Sequence, residues 1–166
     1  TDVGGVTARI VDLLRPRIHD IGLDVVLGGQ SPSLPGLAKI ARRDPRLLLH
    51  VDTPHMARLT AEADIAVGAA GSSTWERCVL GLPSLMVVLA DNQRPAARAM
   101  SEREAALVAD LAAPDFETVF DRHLMRLLRD AKLRRQLAAN SAAVCDGLGA
   151  GRVAEAFLNL IAARDT

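Results

Sequence analysis

Residues 63–89 read ADIAVGAAGSSTWERCVLGLPSLMVVL. The stretch opens on a short apolar run at 63–68, passes through small residues, and enters a helical pattern at Ser72 or Ser73 that lasts to about Leu80. Gly81-Leu82-Pro83 then stops the helix, and residues 84–89 form a second run that is almost wholly apolar. Serine at a helix entry and Gly-x-Pro at its exit are start and stop signals. An apolar run without alternation suits a parallel strand covered on both faces. Strand, helix and strand in this order make a βαβ unit, whose two strands lie parallel.

The same alternation extends in both directions. Upstream, residues 23–28 (LDVVLG) read as a strand, 32–43 as a helix with Leu34, Leu37 and Ile40 on its apolar stripe, and 46–51 (RLLLHV) as a second strand. Thr53 and Pro54 suit the N-cap and first position of a helix reaching about Glu62. Downstream, the polar loop 91–95 leads into a helix to about Glu104, residues 106–111 hold a short last strand, and helical patterns follow at about 115–129, 131–146 and 150–163. This predicts an α/β fold with a doubly wound parallel sheet, one domain over residues 1–166. The chain opens on the glycine-bearing turn Thr1 to Gly5, followed at once by a helical pattern from Val6 to about Asp20. Such a turn normally follows a strand, so the first strand of the sheet is expected to be missing. Three arrangements would close the gap: direct pairing of strand 23–28 with strand 64–68, a strand borrowed from a second copy in a strand-swapped homodimer, or upstream residues present as a separate segment, with the first two favoured.

Composition narrows the function classes. Twenty basic residues balance twenty acidic ones among 166, and aromatics are 2%, with no Tyr. A nucleic-acid binder would need a basic footprint or stacking rings, and neither is present. The longest apolar run, 85–90, is far short of the roughly 20 residues that span a bilayer, so no membrane span is expected. The opening residues do not read as a signal peptide, and the chain is expected to be cytoplasmic. Cys78 and Cys145 are expected to be buried small side chains. No metal-ligand spacing, Walker lysine or G-x-S-x-G elbow is present, so no metal and no cofactor are expected. His50 and His55 read as structural, His19 and His123 as helix-surface residues.

In open parallel sheets ligands bind beyond the carboxyl ends of the strands. The richest loop there is Gly68-Ala69-Ala70-Gly71-Ser72-Ser73, leading to Trp75 and Glu76. Small residues let an anion approach the backbone, and a helix entry offers unpaired N–H groups. Glu76, one turn in, could accept hydrogen bonds from two vicinal hydroxyls of a ribose. The same residues would equally make a capped helix, with Glu76 reaching back to Ser72 or Ser73 in a capping box. Trp75 is expected to be mainly a packing residue. Asp52 reads either as a helix-entry acid or as a ligand-orienting one, and Asp91-Asn92-Gln93 either as a turn or as a polar comb for sugar hydroxyls.

Residues 63–93, ADIAVGAAGSSTWERCVLGLPSLMVVLADNQ, resemble the signature of the pseudaminic-acid pathway hydrolases of the PseG family. The resemblance covers roughly residues 1–160. It implies the nucleotide-binding C-terminal half of a MurG-like GT-B architecture, with two Rossmann-like halves. The family removes UDP from UDP-2,4-diacetamido-2,4,6-trideoxy-β-L-altropyranose. Carried over residue by residue, the resemblance gives Val51, before Asp52, as presenting its backbone to uracil. It gives Ala70, Gly71, Ser72 and Ser73 as contacting the diphosphate, Glu76 as holding the ribose, and Asn92 and Gln93 as facing the sugar. The turn bearing Thr1, Asp2 and Gly4 would close over the phosphates. The family's catalytic histidine belongs to the N-terminal half, so no catalytic residue is assigned here and hydrolysis by this chain alone is not expected. The implied partners are a UDP-sugar and the missing N-terminal domain. A UDP-sugar glycosyltransferase and a non-catalytic scaffold are the alternative readings.

Overall fold

The computed structural model describes residues 2–162. The chain divides into two compact units, Thr1–Glu62 and Ala63–Thr166.

The first unit runs α1 (Val6–Leu14), β1 (Leu23–Leu27), α2 (Leu34–Ala41), β2 (Leu47–Val51) and α3 (Met56–Glu62). β1 and β2 pair parallel, in register from Leu23 opposite Leu47 to Leu27 opposite Val51. Alternate residues of β1, Val25 and Leu27, point into a core shared with Val11, Leu37 and Leu47. All three helices differ in their boundaries from the sequence expectation. α1 stops at Leu14 rather than near Asp20, giving way to a single 3-10 turn, Arg15–Arg17. Pro16 explains the change, because it lacks an N–H and its ring crowds the preceding turn. α2 occupies Leu34–Ala41 rather than 32–43. α3 begins at Met56, because Thr53 Oγ1 accepts the His55 N–H at 3.1 Å and holds a local turn instead of capping a helix at Pro54.

The second unit runs β3 (Ala66–Ala69), α4 (Ser73–Val79), β4 (Ser84–Val88), α5 (Arg94–Glu102), β5 (Leu107–Asp110), α6 (Phe116–Arg129), α7 (Ala131–Val144) and α8 (Gly149–Ala162). Its sheet has the order β3-β4-β5, all parallel. β4 is central and buried along its whole length, as its almost wholly apolar sequence requires. One core cluster gathers Cys78, Met86, Val88, Ala97 and Met100. α6 contributes Phe116, Phe120, Leu124 and Leu127 at helical spacing. The Asp130 side chain caps α7 by accepting the Leu133 N–H at 2.9 Å.

The parallel α/β fold is as expected, but the described residues form two sheets rather than one. β1 pairs with β2, and β3 pairs with β4, so the expected direct pairing of strand 23–28 with strand 64–68 is not formed. Each sheet is built from strands that follow one another in the chain across a single crossover, the connection that closes the shortest loops.

Candidate functional site

In the second unit the loop after β3 carries the site predicted around Ala70, Gly71, Ser72 and Ser73. Ala70 is buried, and its N–H donates to the Val87 carbonyl at 3.0 Å, tying the loop to the end of β4. A Cβ on Gly71 would meet nothing within 4 Å, so the backbone there is open to an incoming group. Ser72 is exposed at the N-cap of α4 and Ser73 is half-buried. No side-chain capping bond forms, so the capping box with Glu76 is absent and the Glu76 carboxylate lies exposed.

The inward stripe of α4 is Thr74, Arg77 and Cys78, the three-and-four spacing of a helix face. That stripe turns Trp75 outward. It is 44% exposed, which corrects the expectation of a packing role. Burial pushes the Cys78 thiol up from its ordinary value, in keeping with an inert small side chain.

Arg77 is the residue that sequence reasoning missed. It is only 9% exposed, beneath the loop. Nη1 donates to Ser73 Oγ at 3.1 Å, and Nη2 donates to the Ala69 carbonyl at 3.1 Å and to Thr74 Oγ1 at 3.2 Å. Nε is buried with no hydrogen-bond partner. Burial pushes the guanidinium down from its ordinary value, with Cys78 and Glu76 opposing. A Cβ on Gly68 would stand 2.9 Å from Nη1, so the glycine at the centre of β3 makes room for the cation. The available signal was the spacing to Ser73 and Thr74, four and three residues back on one helix.

After β4, the short 3-10 segment Asp91–Gln93 leads into α5. Gln93 Oε1 accepts the Leu89 N–H at 2.9 Å, so this side chain closes the turn. Asn92 is exposed. Arg94 donates to Asp91 Oδ1 at 2.9 Å and also bonds Asp110 at the end of β5. These two carboxylates raise its pKa further.

In the first unit Thr1 lies outside the described residues. Asp2 is tied down by three groups: Thr7 N–H donates to Oδ1 at 2.8 Å, and Ser31 Oγ and Ser33 N–H donate to Oδ2 at 2.6 and 3.3 Å. Burial pushes this carboxyl up, but the hydrogen bonds from Ser31, Ser33 and Thr7 together outweigh it and hold it well below the usual carboxylate range. Gly4 is exposed with φ +65°, a left-handed conformation that suits glycine. Val51 ends β2 and is exposed. Asp52, with φ +48°, accepts the Gly29 N–H at 3.0 Å and so joins the loops after β1 and β2.

His50 has an acid partner that its sequence neighbourhood did not show. Its Nε2 lies 2.6 Å from Asp24 Oδ1 across the β1–β2 pair. His123 is half-buried rather than a surface residue, and burial foremost, with Arg122 and Arg126, lowers its pKa. An open cleft of about 430 Å³ in the first unit, lined by Arg15, Lys39, Ile40, Arg43, Asp44 and Arg46, lies at the amino end of β2, opposite to the end that carries Val51. Among the described residues no group of three or more His, Cys, Asp or Glu is placed to hold a metal ion. No helix among them is long and apolar enough to cross a membrane.

No protein-family model matches the chain. Over 140 residues it is 28% identical to the spore coat polysaccharide biosynthesis protein SpsG of Bacillus subtilis (strain 168), covering 83% of this chain and 41% of that protein. The chain therefore spans less than half the length of the curated relative it matches. Among solved structures, WaaG, a glycosyltransferase involved in lipopolysaccharide biosynthesis, matches with a TM-score of 0.64 at 20% identity, over 86% of this chain and 39% of that one. The spinosyn forosaminyltransferase SpnP matches with a TM-score of 0.56 at 23% identity, over 84% and 33%. A putative UDP-N-acetylglucosamine 2-epimerase from Listeria monocytogenes matches with a TM-score of 0.52 at 14% identity, over 92% and 48%. The chain has the fold of a Rossmann-like half of the GT-B glycosyltransferases.

Proposed function

We propose that this chain is the nucleotide-binding half of a UDP-sugar-processing enzyme, a hydrolase that releases UDP from a 2,4-diacetamido-trideoxy sugar of the pseudaminic-acid type. The observation that carries the reading is the loop after β3. It combines an open glycine backbone at Gly71, hydroxyls at Ser72 and Ser73, and an exposed Glu76 that makes no capping bond. In this reading residues 70–73 receive the diphosphate, and the Glu76 carboxylate accepts from the ribose hydroxyls. Asn92 faces the sugar. Gln93, whose Oε1 is held by Leu89, acts by shaping that turn. In the first unit, Asp2 organises the turn carrying Gly4. The base that activates water belongs to a further domain, and developing charge on the departing diphosphate is stabilised by backbone N–H groups of this chain.

A UDP-sugar glycosyltransferase is the second reading. It is favoured by two structural neighbours that are sugar transferases and by the polysaccharide pathway of the relative in Bacillus subtilis. Product analysis separates the two. The protein containing this chain, incubated with the UDP-sugar and no acceptor, yields free sugar and UDP if it is a hydrolase. UDP release that waits on an added acceptor makes it a transferase. Absence of UDP binding by calorimetry overturns both and leaves a scaffold.

A further inference from the structure

A guanidinium taken out of water is usually matched by a carboxylate. Arg77 is buried, yet among the described residues its hydrogen-bonded partners are a carbonyl and two hydroxyls, while the exposed carboxylate of Glu76 acts on it through space without bonding it. All three acceptors belong to the segment running from the end of β3 into α4, so the cation grips that segment from below. Arginine has donors only. Ser73 Oγ therefore accepts from Arg77, which leaves the proton of this half-buried hydroxyl for another acceptor. Nε is buried without a partner, and Nη1 lies so close to the β3 backbone that a Cβ on Gly68 would stand 2.9 Å from it.

We propose that Arg77 is a positioning residue that makes the loop over it selective for phosphate oxygens, acting through Ser73 and through its buried positive charge. The inference rests on the UDP-sugar reading for the identity of the ligand. Its own content is narrower: the anionic part of the ligand, and not the nucleoside, depends on Arg77. An anion above the loop is attracted by the buried charge, and the Ser73 hydroxyl donates to it.

The test compares uridine, UDP and inorganic pyrophosphate by titration calorimetry on the full chain, with thermal melting alongside. Arg77→Gln is expected to weaken UDP and pyrophosphate at least about tenfold and to leave uridine within about twofold. Arg77→Lys keeps the charge but loses the fork, and is expected to recover part of the pyrophosphate affinity. Ser73→Ala reports on the same device if Arg77→Gln does not fold, with the same selective loss expected. A merely structural role would lower all three ligands together with the melting temperature. An unchanged ratio of UDP to uridine affinity in Arg77→Gln, or in Ser73→Ala where that variant stands in, overturns the proposal and leaves the UDP reading standing. Pyrophosphate binding without UDP binding in the unaltered chain overturns the UDP reading alone. Binding of neither overturns both.

Discussion

Asp52 and Gly29 fit each other at the ends of β1 and β2. The Gly29 N–H donates to Asp52 Oδ1 at 3.0 Å, while a Cβ on residue 29 would stand 2.6 Å from Oδ2. Asp52 holds this position in the left-handed region, at φ +48°, which costs a non-glycine residue about 1 kcal/mol. Gly29→Ala is therefore expected to destabilise the chain by about 1–3 kcal/mol, the usual penalty of overpacking. Asp52→Gly relieves the backbone strain but loses the hydrogen bond, two effects of about 1 kcal/mol and opposite sign, and is expected to be nearly neutral. In the Asp52→Gly background the cost of Gly29→Ala should fall below about 1 kcal/mol. Urea denaturation of the four proteins measures the coupling, and additive costs would show that the two residues do not act together.

Acid stability tests the Asp2 network. Its folded pKa is depressed by the donors Ser31, Ser33 and Thr7, which outweigh burial. A carboxylate depressed in the folded state stabilises above its unfolded pKa of about 4, and that stability is lost as pH falls below it toward the folded value. Asp44, held at about 2 chiefly by Arg46, and Asp146, held at about 2 chiefly by Arg152, share this acid limb. Asp2→Asn is expected to be less stable near neutral pH and to show a shallower decline between about pH 4 and pH 2. Denaturation midpoints across that range, with a slope equal to that of the unaltered chain, would remove Asp2 from the account.

The order of strands and helices could be read from the sequence because glycine and proline punctuate short apolar runs. Gly81 and Pro83 separate α4 from β4, and four of the five expected strands lie within one residue of their observed ends, while the run read from residue 63 becomes a strand only at Ala66. Helix starts were less legible. Thr53 and Pro54 carry the right chemistry for a cap, but the Thr53 hydroxyl is spent on a two-residue turn. What could not be read was the direction of polar side chains. Arg77 sits between exposed Glu76 and buried Cys78, and only the packing of α4 on its sheet decides that it turns inward. Asp24 and His50 are 26 residues apart, and they meet because β1 and β2 pair in a register that puts Asp24 opposite Leu48 and leaves His50 on the same face, two residues on.

Burial separates two phenylalanines of the second unit. The Phe120 ring is 1% exposed and packs on Phe116 with ring centroids 5.6 Å apart, whereas Phe157 on α8 is 64% exposed. Phe120→Ala is expected to cost about 3–5 kcal/mol, and Phe157→Ala to change stability by no more than about 0.5 kcal/mol. Chemical denaturation of the isolated chain checks both, and equal costs would contradict the placement of α8 outside the core.

Glu76 gives the sharpest separation between a structural and a binding role. Its carboxylate is exposed and closes no capping box, so removing it takes away no bond that the fold uses. Glu76→Ala is expected to keep its stability within about 0.5 kcal/mol of the unaltered chain, the range of surface substitutions, whereas loss of a helix cap would cost about 1 kcal/mol. If the carboxylate accepts from the ribose, the same substitution removes hydrogen bonds to a charged group, worth about 1.5–3 kcal/mol, and weakens UDP by about 10- to 100-fold. The ribose itself supplies the control. The unaltered chain should prefer UDP over 2′-deoxy-UDP, and that preference should collapse in Glu76→Ala, because the group that distinguishes the two sugars is gone. Calorimetry with both nucleotides, alongside thermal melting, reads the affinity and the stability together. A lower melting temperature with the preference intact would make Glu76 a helix residue and move the ribose elsewhere.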